Sequence, residues 1–297
     1  MSLTSIIRRG FRFLAVRGAF DWMSDETYLK MKYWACLGRH LDLNNPRTFN
    51  EKLQWIKLYD RNPRYSDMVD KYEAKKIAAD LIGEEYIVPT LGVWDSFDEI
   101  DFSKLPNQFV LKCTHDSGGL SICKDKSTFD INVARAKINR SLKRNYFLQS
   151  REWPYKNVRP RIIAEKYMED TVSGELADYK FYTFRGRVKA MFISSGRQGT
   201  GTKADYFDED FNYLDFTWGY PHADTRPQKP VRFDEMKRLA EILSKDTIEL
   251  RVDFYQVNGK VYFGEMTFFD GSGFDSFDPY SWDEVFGGWI ELPDRNN

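Results

Sequence analysis

The chain has 297 residues, 42% hydrophobic and 30% charged, enough for about two ordinary domains and too polar for a membrane protein. Lys and Arg number 44 against 45 Asp and Glu, so no overall field attracts nucleic acid. Three His (His40, His115, His222) and three Cys (Cys36, Cys113, Cys123) are scattered, which excludes a disulfide framework, disfavours a Cys/His zinc site and leaves chemistry mainly to Lys, Arg, Asp and Glu.

No apolar run reaches the roughly 18 to 20 residues of a membrane-spanning helix. Residues 1–20 lack the apolar stretch and small-residue cleavage site of a secretory signal. With unpaired cysteines, the expected location is the cytoplasm. Residues 1–20 nonetheless stand apart. Arg8, Arg9, Arg12 and Arg17 precede the first acid, Asp21, while Ile7, Phe11 and Leu14 share one helical face. Such a segment either docks on the domain or lies on the inner, anionic face of a membrane.

Residues 49–80 read as helical, broken at Asn62-Pro63. Tyr86 to Pro89 reads as a short strand stopped by proline. Phe109 to Cys113 and Leu120 to Cys123 form a hairpin around the turn Thr114-His115-Asp116-Ser117-Gly118-Gly119. A basic helix over 130–150 precedes a strand from Arg161 to Met168. Tyr179–Arg185 and Val188–Ser194 make a second hairpin around Gly186. Residues 196–230, rich in Gly, Asp and Pro, read as a long functional loop. Phe233 to Leu250 is an amphipathic helix. Val252–Val257 and Val261–Met266 flank Asn258-Gly259, the strongest hairpin signal in the chain. Hairpins mixed with helices argue for an α+β fold in two lobes.

Four groups of residues carry candidate chemistry. Lys112 beside the glycine loop suits phosphate, because glycine backbone approaches closely and lysine supplies a point charge. No Walker A sequence is present. Asp253 and Glu265 lie on the two strands of the last hairpin. Ideal register sets Asp253 opposite Gly264 and turns the two acids to opposite faces. A one-residue bulge or a longer turn sets them on one face, where they require a cation such as Mg²⁺. Lys71, Lys75 and Lys76 read alone as a solvated face. Glu165-Lys166-Tyr167-Met168 ends a buried strand whose backbone edge suits a flat heterocycle. A weaker signal is Asp208-Glu209-Asp210, an acidic triplet of the kind that holds a metal–nucleotide in glycosyltransferases.

Taken in order, these motifs resemble the ATP-grasp superfamily over residues 68–275. The stretches Phe49 to Trp55 and Lys112 to Gly119 resemble its teichuronopeptide-biosynthesis branch. The resemblance implies two α+β lobes holding a nucleotide between antiparallel sheets. It divides the chain into an N-terminal helical region (1–67), a lobe with the glycine-rich loop (68–170) and a lobe with the metal site (171–297). It also implies ATP and Mg²⁺ as cofactors. Lys71 and Lys112 match phosphate-contacting lysines, and His115, Ser117, Gly118 and Gly119 lie in the loop that closes over them. Glu165 to Met168 match the adenine-reading hinge. Glu169, Glu175 and Asp178 compete for the ribose, with Lys180 nearby. Arg251 matches the arginine at the γ-phosphate, and Lys203 a further phosphate-side lysine. Asp253, Glu265 and Thr267 match the metal triad, with Thr267 where the superfamily carries Asn. The implied activity is carboxylate–amine ligation through an acylphosphate, on a free or glycan-linked carboxylate in surface-polysaccharide synthesis. A nucleotide-sugar glycosyltransferase and a non-catalytic nucleotide-binding protein are the competing readings.

Overall fold

The structure, a computed structural model, describes residues 2–171, 176–196 and 201–294. Helix α1 (Leu3–Ala15) packs on α2 (Asp25–Leu37) around Phe11, Ala15, Tyr28 and Ala35. α2 stops at Gly38, whose φ of 75° suits glycine. α3 (Phe49–Tyr59) opens with a capping box between Thr48 and Glu51. The predicted break at Asn62-Pro63 separates it from α4 (Arg64–Val69) and α5 (Glu73–Ile82).

A four-stranded sheet follows, built from β1 (Thr90–Trp94), β2 (Phe109–Cys113), β3 (Leu120–Cys123) and β4 (Ile162–Lys166). Its order is β1-β4-β2-β3, with antiparallel neighbours. Helices α6 (Ile131–Leu142) and α7 (Phe147–Ser150) lie between β3 and β4 in sequence. Alternation along β2 buries Phe109, Leu111 and Cys113 against Ala134 and Ile138 of α6. That leaves Val110 and Lys112 on the opposite face.

The second sheet has six strands, ordered β11-β10-β5-β6-β7-β8. They are β5 (Asp178–Phe184), β6 (Arg187–Ser195), β7 (Lys203–Asp208), β8 (Tyr213–Leu214), β10 (Glu249–Val257) and β11 (Lys260–Thr267). β9 (Thr217–Trp218) pairs separately with β12 (Phe277–Asp278), and α8 (Phe233–Leu243) and α9 (Ser281–Trp289) complete the fold. The aromatic excess is largely core here. The ring of Phe49 on α3 meets Trp218, Phe277 and Phe286 edge to face at 5.4–6.2 Å.

Three expectations need correction. The strand expected at Tyr86–Pro89 is a 3₁₀ turn at Glu84–Tyr86 and a single bridge from Ile87 to Phe263. Pro89 lacks an N–H, and the ladder begins after it, at Thr90. The helix from Phe233 ends at Leu243, because Glu249 and Leu250 pair with Phe184 and Thr183 of β5. The loop expected over 196–230 contains β7, whose Ala204, Asp205, Tyr206 and Phe207 are buried against β6.

Candidate active site

A cavity of about 370 Å³ opens between the two sheets. One wall presents Val110, Lys112, Leu120 and Ile122 of the β2–β3 hairpin; the other presents Ser194, Ser195 and Tyr255 of the six-stranded sheet. Glu165 to Met168, at the end of β4, close one side. Leu120 and Ile122 remain 38% and 42% exposed. Two bare aliphatic side chains facing Tyr255 across a cleft make an apolar slot that suits a flat ring.

On the first wall, Glu165 is the hub. It stands opposite Val110 of β2 and Thr90 of β1. Its carboxylate meets Lys112 Nζ at 2.6 Å and also the ammonium of Lys75, from α5. Lys75 in turn donates to the Val88 carbonyl at 2.7 Å and to Thr90 Oγ1 at 3.2 Å. Burial alone would raise the Glu165 carboxyl, but Lys112 and Lys75 outweigh it and hold it at about 2. Burial works against the Lys112 ammonium too, yet Glu165 keeps its pKa above the usual value. Desolvation dominates at Lys75 and lowers it.

The glycine loop is held from below. Asp116 is 3% exposed and accepts from Gly119 N at 3.1 Å and from the Ser141 hydroxyl of α6. Lys71 N donates to the Thr114 carbonyl at 3.0 Å, and its ammonium donates to the Asp116 carbonyl. Gly119 has no room for a side chain: a Cβ would fall 2.5 Å from Cys113 Sγ and Ser141 Oγ. Gly118 faces open space, its nearest such neighbour 4.0 Å away.

The second wall is a ladder of charges across three strands. Register sets Asp253 beside Lys180 of β5 and beside Glu265 of β11, and sets Arg251 beside Tyr182 and Thr267. The pairing from Val257–Lys260 to Phe254–Phe263 is regular; it then shifts by one residue, so Asp253 faces Glu265 rather than Gly264. Gly264 is the extra residue of a β-bulge, and a Cβ there would lie 3.0 Å from the Asp253 carbonyl oxygen. The bulge puts both acids on one face.

Arg251 gathers this cluster. Its Nε donates to Asp253 at 2.7 Å, and its Nη2 to Glu265 Oε1 and Thr267 Oγ1, each at 3.1 Å. Its Nη1 donates to Asp270, which also accepts from the Tyr182 hydroxyl. Lys180 bridges Asp253 and Asp178, the latter at 2.7 Å. Burial would raise Glu265, but Lys180, Lys71, Arg251 and Lys112 bring it down to about 2. Burial pushes Asp253 up to about 6 even with Arg251 and Lys180 beside it. Among the described residues no three His, Cys, Asp or Glu side chains converge as a metal site. The oxygens of Asp253, Glu265 and Thr267 do converge, on Arg251, and such hard donors suit Mg²⁺.

The structure therefore brings Lys112, Glu165, Lys166, Tyr167 and Met168 to the cavity wall. Lys71 reaches the glycine loop, and Asp178, Lys180, Arg251, Asp253, Glu265 and Thr267 share the second wall. Ser117 and Gly118 are exposed on the loop. Lys203 pairs with cavity-lining Ser195. His115 is not brought to the cavity: its ring is 3% exposed and its Nε2 lies 3.2 Å from the Ser141 carbonyl. Of the ribose candidates, Asp178 is buried against Lys180, Glu169 is exposed, and Glu175 lies outside the described residues, as do 197–200 of the loop expected over 196–230. Asp208 accepts from the N–H groups of Asp210 and Asn212 at 2.9 and 2.8 Å, closing the β7–β8 turn. Lys75 reads from the sequence as part of a solvated face, and nothing there singles out Asp116 or Asp270 as site residues.

A family model described as TupA-like ATP-grasp matches residues 51–291. Two antiparallel sheets with a cleft between them are the frame of an ATP-grasp protein. The chain belongs to the TupA-like ATP-grasp family. No curated protein matches. Similar solved structures include D-alanine–D-alanine ligase from Bacillus anthracis complexed with ATP, with 13% identity, 73% of this chain and 55% of that one covered, and a TM-score of 0.39. D-cycloserine synthetase DcsG gives 15%, 69%, 63% and 0.40. The ATP-grasp ligase PsnB, complexed with a phosphomimetic variant of its minimal precursor, Mg and ADP, gives 11%, 80%, 66% and 0.41. The chain thus spans between 55% and 66% of the length of these proteins.

Proposed function

We propose that this protein is a Mg·ATP-dependent carboxylate–amine ligase. Family members are ATP-dependent carboxylate–amine ligases. The observation that carries the reading here is the bulge at Gly264, which turns Asp253 and Glu265 to one face beside Arg251, across the cleft from Lys112. Adenine occupies the slot between Leu120, Ile122 and Tyr255, with Glu165 to Met168 at its edge. Lys71, Lys112 and the exposed backbone at Gly118 face the phosphates. Asp253 and Glu265, with the hydroxyl of Thr267, would hold Mg²⁺. The ion would neutralise charge on the phosphates.

The reaction needs positioned positive charge more than a nucleophile. A substrate carboxylate oxygen attacks the γ-phosphorus in line, the bond to the β-phosphate oxygen breaks, and ADP leaves. Arg251 bears on the charge that develops there. An amine then attacks the acyl carbon, loses a proton, and expels inorganic phosphate to leave an amide. Exclusion of water protects the acylphosphate, a task for the glycine loop. The substrate is a uronic or amino acid group, free or glycan-linked, in cell-surface polysaccharide synthesis, and Lys203 serves the phosphate side.

Hydroxylamine tests the first half-reaction directly. With ATP, Mg²⁺ and a panel of uronic and amino acids, an acylphosphate is trapped as a hydroxamate in step with ADP release. Lys112→Ala and Glu265→Ala abolish both. ADP release without hydroxamate for every acid tested, or full turnover in both variants, overturns the reading.

A further inference from the structure

We propose that α1 is an interfacial anchor that lies along a membrane surface rich in anionic lipid. α1 touches the rest of the protein through a narrow strip. Phe11 and Ala15 are buried against α2, and Arg8 donates to the carbonyls of Ala35 and Cys36 at 3.3 and 3.1 Å. Leu3, Ile6, Ile7, Phe13 and Leu14 stay 44–73% exposed. At about 100° per residue, these five and Gly10 fill one contiguous third of the helix circumference, beside the docked strip. Beyond the helix, Val16 and Trp22 are each 80% exposed. Indole rings favour the boundary between lipid and water.

The charges select the occupant. Arg9, Arg12 and Arg17 are exposed, and α1 contains no acid. Arg17 lays its guanidinium over the Phe13 ring at 3.5 Å, which joins the basic and apolar surfaces. Basic side chains edging an apolar face complement acidic headgroups. A second copy seated on the same face would bring like-charged patches together. Among the described residues no helix is long and apolar enough to cross a membrane, so α1 lies on the surface. The inference is independent of the chemistry in the cleft.

Flotation of the full chain with phosphatidylcholine vesicles, with and without phosphatidylglycerol, tests it. The chain floats with the anionic vesicles alone, and less as salt rises. Ile6→Ser/Phe13→Ser releases it. Arg9→Gln/Arg12→Gln weakens binding about fivefold per arginine. Both variants keep the wild-type melting temperature, because all four side chains are exposed. No flotation with either vesicle, or wild-type flotation of the Ile6/Phe13 variant, overturns the proposal. So does a lipid-free dimer that the Ile6/Phe13 variant dissolves, since the face would then belong to a second copy.

Discussion

On one wall of the cleft, the Glu165 carboxylate is shared by two ammonium groups, Lys75 and Lys112. On the other, Asp178, Asp253, Glu265 and Asp270 gather around Lys180 and Arg251. Both clusters are largely buried, though the Glu265 side chain stays 40% exposed, so both meet a desolvation penalty. The first has more cations than anions, and its carboxylate is held at about 2. The second has more anions than cations, and burial leaves Asp253 near 6. The difference suggests a division of labour. On the proposed function, the first wall presents lysine to an incoming anion, and the second accepts an incoming cation.

The largest expected effect comes from breaking the paired wall. Glu165→Gln leaves Lys75 and Lys112 without their anion and costs about 3–5 kcal/mol, read as a fall in denaturation midpoint. The pH profile carries the same information. Glu165 has a folded pKa below its unfolded value, so its stabilisation is complete above the ordinary 4.5 and is lost as pH falls toward about 2. The shift corresponds to about 3 kcal/mol, and Glu165→Gln should flatten that limb of the stability curve.

Next comes the open wall. Glu265→Gln keeps the shape but removes a charge from a side chain 40% exposed, where solvent screens the loss, and should lower ADP release about 10²- to 10³-fold with little loss of stability. A comparable loss of stability in both variants would mean that the walls do not differ as argued.

The glycine loop gives a smaller, internal contrast. Gly119→Ala forces a Cβ against Cys113 and Ser141 and should cost about 1–3 kcal/mol in chemical denaturation. Gly118→Ala meets open space and should leave stability unchanged. Smallest is Asp208→Ala. It opens the β7–β8 turn at a cost of about 1 kcal/mol and leaves ADP release as in wild type. Loss of activity there would revive the reading of the acidic triplet as a nucleotide-sugar site.

Local chemistry explains what the sequence made legible. The Asn258-Gly259 turn set the last hairpin correctly as far as Phe254–Phe263. The bulge beyond it stood only as an alternative to the ideal register, because it depends on how β11 closes against β10 at Gly264 rather than on a turn signal. Lys75 was hidden for a similar reason. Among Lys71, Lys75 and Lys76 it looks like part of a solvated face, and only the arrival of β4, some 90 residues later (165 − 75), buries it. Asp116 and Asp270 sit in turns, where an acid ordinarily caps a backbone N–H. Both do so, and each takes a second partner that only the fold supplies. His115 misled because glycine loops suggest exposure, whereas α6 covers its ring. The strand at 203–208 was masked by the glycines and prolines around it.

The unequal walls are tested most directly by melting the protein with ATP, with and without Mg²⁺. A ligand that binds only the native state raises apparent stability. In wild type, ATP should raise the melting temperature strongly with Mg²⁺ and weakly in EDTA, and Glu265→Gln should abolish the difference. An equal shift with and without Mg²⁺, or a Mg²⁺-dependent shift retained in Glu265→Gln, would contradict the account.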